Sequence, residues 1–308
     1  MTSHENRKNT SAANTHLSSA SASVDPLSHD AASSKASVPS ATGATGATLT
    51  RAPSSLRALL LGCAVWPFLH APTQSCLQED QLSAYRELLQ QTQEHLGSSH
   101  SCCRGLALMA DALTGIAEHC RREGSKEAPI DCLPAEAEHQ SALTQLAVER
   151  TWLYRGVSET GPTPPYEAEW CTGTSTSTVL LSLTKSYRAS GLALALGERA
   201  DYLGIELGYY QRLILQQAAC EAEDDEAGRG NSGGGESTGG RPRRDSAGGS
   251  GVRTLQQRFH SEHLGRWVAP YVKATLPLAQ SDFFRGHLLL VQGCVARELI
   301  QEPAREPT

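Results

Sequence analysis

The absences in this sequence narrow its function first. There is no Walker loop and no HExxH, and no GxGxxG or GxSxG turn stands between a strand and a helix. The common routes to nucleotide, zinc and serine chemistry therefore lack their residues. The nine cysteines contain no Cys-x-x-Cys pair, and their number is odd. That removes zinc ribbons and thioredoxin-type centres, and a secreted disulfide scaffold would be shorter and denser in cysteine. Aromatics make up only 5% of the chain, and no apolar run reaches the length that spans a membrane. A net charge of -6 over 308 residues carries no basic footprint for nucleic acid. No alternating strand pattern and no internal repeat is found. The expectation is an all-α protein that is not an enzyme, with no cofactor, no bound metal and no stable membrane insertion.

Two stretches are too poor in large apolar side chains to offset the entropy of ordering them. Residues 1–54 are dominated by Ser, Ala and Thr and are expected to be a disordered tail; their few acids and scattered basic residues also describe a transit peptide. Residues 221–252 pass from an acidic run, Glu221 to Glu226, into Gly, Ser and Arg, and read as a flexible insertion. The helical domain is then 55–301, followed by a short tail, 302–308. The Leu56–Leu69 segment is apolar and carries Leu60-Leu61-Gly62-Cys63, a spelling found at lipoprotein cleavage sites. Two readings stand: a signal-peptide core, or the first helix of the core.

From Asp80 onward the periodicity is helical. Leu82, Tyr85, Leu88 and Leu89 share one spacing, and Leu106, Met109, Leu113 and Ile116 another. A helix from about Ala135 to Val157 offers Leu143, Leu146, Val148, Leu153 and Tyr154 for burial, and ends at Gly161-Pro-Thr-Pro-Pro165. Further helices are expected over Ser175–Ser190, capped by Ser175 or Thr176, and over Glu198–Ala219, with Glu198 and Asp201 against the positive end of the dipole. The last two are Leu255–Leu276 and Ser281–Gln301. The arrangement is a single bundle-like helical domain. The proline-set loop Pro164–Trp170 holds two aromatics and two carboxylates; Tyr166 and Trp170 either plug the bundle end or recognise a partner.

Three segments, in order, resemble the TorD/DmsD/NarJ superfamily of redox-enzyme maturation chaperones. Val148–Gly156 followed by Pro164-Pro-Tyr-Glu-Ala-Glu-Trp170 is similar to an aromatic-rich helix end and the "PPYES" loop; Glu149, Pro165, Tyr166, Glu167 and Trp170 match, and Ala168 replaces the frequent Ser. Glu198-Arg-Ala-Asp-Tyr-Leu-Gly-Ile-Glu-Leu207 is similar to "ExxDHLxxEL", with Tyr202 in the place of the His. Phe259 to Tyr271 is similar to "FxxxHLxxWxxxF".

The resemblance implies a fold of the TorD type and a cytoplasmic chaperone. Its partner would be the precursor of a molybdopterin-dependent oxidoreductase, bound through its twin-arginine leader and held until its cofactor is inserted. Pro165, Tyr166, Glu167, Trp170, Glu198, Asp201, Tyr202 and Glu206 would form the client-binding site. The acids would meet the leader's arginines and the aromatics its apolar core. The state would be a monomer or a domain-swapped dimer. The rival reading is a helical thiol or metal sensor built on Cys102, Cys103, Cys120 and Cys132 with nearby histidines.

Overall fold

The computed structural model describes residues 52–124, 134–156, 161–229 and 247–296. Most of the expected N-terminal tail, the C-terminal tail at 302–308 and the middle of the insertion at 230–246 lie outside them. Among the described residues the chain is helical and contains no strand, as composition and periodicity lead one to expect.

Helix α1 (Ser54–Leu69) is the first core helix. Twelve of its residues are buried, from Ser54 through Leu60 and Leu61 to Phe68. A helix apolar on nearly every side must be surrounded, and α1 packs on α7 and α10. Helix α2 (Glu79–Leu96) is amphipathic, burying Leu82, Leu88, Thr92 and Leu96, and stops at Gly97, whose φ of 80° suits glycine. Helix α3 (Ser101–Gly124) buries Leu106, Met109 and Leu113, as their spacing requires. Helix α4 (Pro134–Arg155) buries Leu143, Leu146, Leu153 and Tyr154, but Val148 is exposed at 63%. The short α5 (Glu167–Trp170) leads to α6 (Thr176–Ala189), and Ser175 caps α6 by accepting from the Thr178 N–H at 3.3 Å.

Helix α7 (Leu203–Arg229) begins five residues later than the sequence pattern implies. Gly197 turns the chain at φ 90°, and Tyr202 pairs with Tyr166 in an isolated antiparallel bridge. Residues committed to that bridge cannot continue a helix, so Glu198 and Asp201 precede α7 and only Glu206 lies in its first turn. At its other end α7 runs through the acidic stretch to Arg229, and α8 (Ala247–Phe259) resumes at Ala247, so both ends of the expected insertion are helical. The expected Leu255–Leu276 helix is one continuous rod: α8, a π-helical turn at His260–Leu264, then α9 (Gly265–Thr275). Helix α10 (Asp282–Val295) is capped by Ser281 and is buried along almost its whole length; it ends at Val295, short of the expected Gln301, because Ala296 is extended, and residues 297–301 lie outside the described residues.

The centre of the bundle is α10, with α3 and α1 against it. Helices α3 and α10 approach to backbone contact because both carry glycine at the crossing. A Cβ on Gly286 would sit 2.6 Å from the Gly105 carbonyl and 2.9 Å from the Met109 nitrogen.

Candidate functional site

The three motif segments meet in one place. The Pro164–Trp170 loop is held to the segment before α7 by two backbone hydrogen bonds: Glu167 N–H to the Asp201 carbonyl and Leu203 N–H to the Pro165 carbonyl, both 2.9 Å. These bonds use groups that a helix end would otherwise leave unsatisfied. The loop then closes on itself, because the Trp170 indole donates to the Pro164 carbonyl at 3.0 Å and its ring sits edge-on to Tyr271, 5.5 Å between centroids.

The π-helical turn aims its side chains into this junction. His263 donates through Nδ1 to Glu167 Oε2 at 2.8 Å, and its Nε2 faces Ser182 Oγ at 3.3 Å. Both partners of that pair are buried, at 3% and 1% exposure. One turn further on, Trp267 Nε1 donates to Glu206 Oε2 at 3.4 Å. The other oxygen of Glu206 is buried and has no hydrogen-bond partner among the described residues. Burial pushes the Glu206 carboxyl well above the usual carboxylate range, and the Glu167 charge adds to it.

Asp201 is fully buried and chelates Arg199, Nε to Oδ1 at 3.0 Å and Nη2 to Oδ2 at 2.8 Å. The Arg199 guanidinium lies 4.1 Å above the Tyr166 ring, and Tyr166 in turn packs on Tyr202, 5.5 Å between centroids. Tyr202 is buried, and its hydroxyl donates to the Phe68 carbonyl at the end of α1. Arg150 reaches the same end, donating to the Pro67 and Phe68 carbonyls at 2.7 and 2.5 Å. Glu149, another motif residue, accepts from the Gln280 and Ser281 N–H groups ahead of α10.

The eight residues singled out in the sequence therefore fall into two sets. Pro165, Glu167, Asp201, Tyr202 and Glu206 are buried in the junction. Tyr166 and Trp170 are half-buried at its edge, and Glu198 is exposed, its carboxylate accepting from the Ala195 N–H at 3.2 Å. Glu169 and Arg199 are exposed beside them, and Leu196 is fully exposed on the Gly191–Gly197 connection, between two glycines of positive φ. Arg199, His263, Trp267 and Arg150 were not assigned to the site from sequence. His263 and Trp267 do stand in the third motif, which was the available signal. Arg150 stands in the first motif segment, but its role was hidden because its partners lie on α1.

Among the described residues, no group of three His, Cys, Asp or Glu is placed to hold a metal ion, and no helix is long and apolar enough to cross a membrane. Of the four cysteines in the sensor reading, Cys102, Cys103 and Cys120 are buried on α3, and Cys132 lies outside the described residues.

No curated protein and no solved structure matches the chain. A family model does: that of the nitrate reductase delta subunit matches residues 106–233, from α3 through α7, including the Pro164–Trp170 loop and the Glu198–Leu207 segment. The resemblance read from the motifs is thereby shown over residues 106–233, which match the nitrate reductase delta subunit family, a family of molybdoenzyme maturation chaperones in the TorD/DmsD/NarJ superfamily.

Proposed function

We propose that the chain is a cytoplasmic chaperone that binds the twin-arginine signal peptide and the apo form of a molybdopterin-dependent oxidoreductase, assisting cofactor insertion before export. The observation that carries this reading is the convergence of the three motifs on one buried, hydrogen-bonded junction. A junction with five buried motif residues shapes a surface more than it presents one. In this reading Glu167, Asp201, Tyr202, Glu206 and Pro165 hold the loop and the start of α7 in register from below. Contact with the client falls to the groups that reach solvent: Tyr166, Trp170, Glu169, Glu198 and Leu196.

The division suits the chemistry of such a leader. Exposed carboxylates accept charge-assisted hydrogen bonds from arginine without first breaking an internal ion pair. Asp201 cannot do so, because Arg199 already occupies it. Half-buried aromatics and an exposed leucine offer apolar area to the leader's core. The test is titration calorimetry with a synthetic twin-arginine leader. The double variant Glu169→Lys/Glu198→Lys is expected to weaken binding about tenfold, roughly 1.4 kcal/mol, and a leader with both arginines replaced by glutamine should bind wild-type protein equally poorly. Unchanged affinity in the folded double variant would overturn the assignment of the exposed acids.

A further inference from the structure

Two cysteines that are far apart in sequence are brought together where α3 meets α10. A Cβ built on Gly293 would lie 2.6 Å from both the nitrogen and the sulfur of Cys102, so the Cys102 thiol rests against the backbone of the residue before Cys294. The two thiols are close enough for each to shift the titration of the other, Cys102 downward and Cys294 upward. Cys102 occupies the first turn of α3, whose positive end favours a thiolate. Its N–H donates to His100 Nδ1 at 3.2 Å, which fixes the imidazole alongside. Cys294 lies in the last turn of α10. Both sulfurs belong to buried residues, 0% and 5% exposed, but both sit at helix ends, the parts of a helix that open most readily.

We propose that Cys102 and Cys294 form a peroxide-reactive thiol pair that closes to a disulfide between the start of α3 and the end of α10. Cys102 is the attacking sulfur. Its thiolate displaces hydroxide from hydrogen peroxide, breaking the O–O bond and forming a sulfenic acid. Cys294 then attacks that sulfur; the S–S bond forms, the S–O bond breaks, and the thiol proton leaves with the hydroxide as water. Overall, two thiols and one peroxide give one disulfide and two waters.

The surroundings assign these roles and exclude the neighbours. The interaction with Cys294 brings Cys102 down to about 6 against the opposing effect of burial, with His100 contributing. The same interaction, together with burial, pushes Cys294 well up, so it holds the proton until Cys102 is oxidised. Burial raises Cys103 to about 11 and Cys63 to about 12, which keeps both as unreactive thiols. The sensor reading thus keeps Cys102 but replaces its expected partners with a cysteine from the last helix.

The experiment is dilute hydrogen peroxide on the full, folded chain, followed by alkylation, intact mass and peptide mapping. The expected result is a mass loss of about 2 Da, corresponding to one disulfide, mapped to Cys102–Cys294. In Cys294→Ser, dimedone should label Cys102 and no disulfide should form. In Cys102→Ser, oxidation of Cys294 should slow at least about tenfold, since no thiolate initiates it. Retention of both thiols in wild-type protein, or a disulfide elsewhere, overturns the proposal; this readout decides even if a variant fails to fold.

Discussion

Tyr202 replaces the histidine of the family pattern, and its surroundings explain what a phenol does there. Helix α1 ends with unpaired carbonyls, and the chain supplies three donors for two of them: Tyr202 Oη and both ends of Arg150. The Arg155 guanidinium, 5.5 Å from the Tyr202 ring, adds positive charge near the negative end of α1. Burial raises the phenol to about 12, so it remains a donor throughout the physiological range. An imidazole would switch charge there and a tyrosine does not. Tyr202→Phe should cost about 1 kcal/mol of stability, read as a lower urea midpoint at unchanged slope. Arg150 still covers the Phe68 carbonyl in that variant, so the loss should be no larger. The departure at Tyr202 was visible in the sequence. Its consequence was not, because the carbonyl it serves belongs to Phe68, on an element remote along the chain.

At the scale of elements, most helices were legible because burial imposes a 3.6-residue period on apolar side chains. That argument fails where a tertiary bond captures the backbone. The start of α7 moved to Leu203 because Tyr202 bridges to Tyr166, a pairing no local pattern encodes. The π-helical turn at His260–Leu264 was equally hidden. Gly265 lets the turn close, since a Cβ there would lie 2.8 Å from His260 Cε1, and the turn directs His263 at Glu167. The α3–α10 crossing likewise depends on glycines whose pairing is tertiary. Gly286→Ala should destabilise the protein by roughly 1–3 kcal/mol, because the obstructing atoms are backbone and the helices must separate. A thermal melt no lower than wild type would show that the crossing has slack.

For the whole molecule, one buried side chain ties three helices together. His287 of α10 donates through Nε2 to the Ala64 carbonyl of α1 at 2.8 Å, and its Nδ1 accepts from the Tyr154 hydroxyl of α4 at 2.6 Å. Burial brings the imidazole from 6.5 down to about 4, so it is neutral in the folded protein. Between those two values the unfolded chain binds the proton and the folded one does not. Stability from this group is therefore complete above 6.5 and falls as pH drops from 6.5 towards 4, by up to roughly 3 kcal/mol. Urea midpoints at pH 7 and pH 5 should show the loss in wild type, and His287→Gln should reduce the difference; an equal loss in both would assign the acid sensitivity to other groups. The sequence by itself determined the all-helical class and the order of three motifs, because each is a matter of local spacing and composition; that Leu56–Leu69 is the first core helix was decided by its burial against α7 and α10. Only the tertiary structure decided which motif residues are accessible. Glu167, Asp201 and Glu206 were read as acids for a partner, yet His263, Arg199 and Trp267 take them up internally. A carboxylate looks the same in a sequence whether it faces water or a buried donor, and only the packing of α7 and α9 against the Pro164–Trp170 loop distinguishes the two.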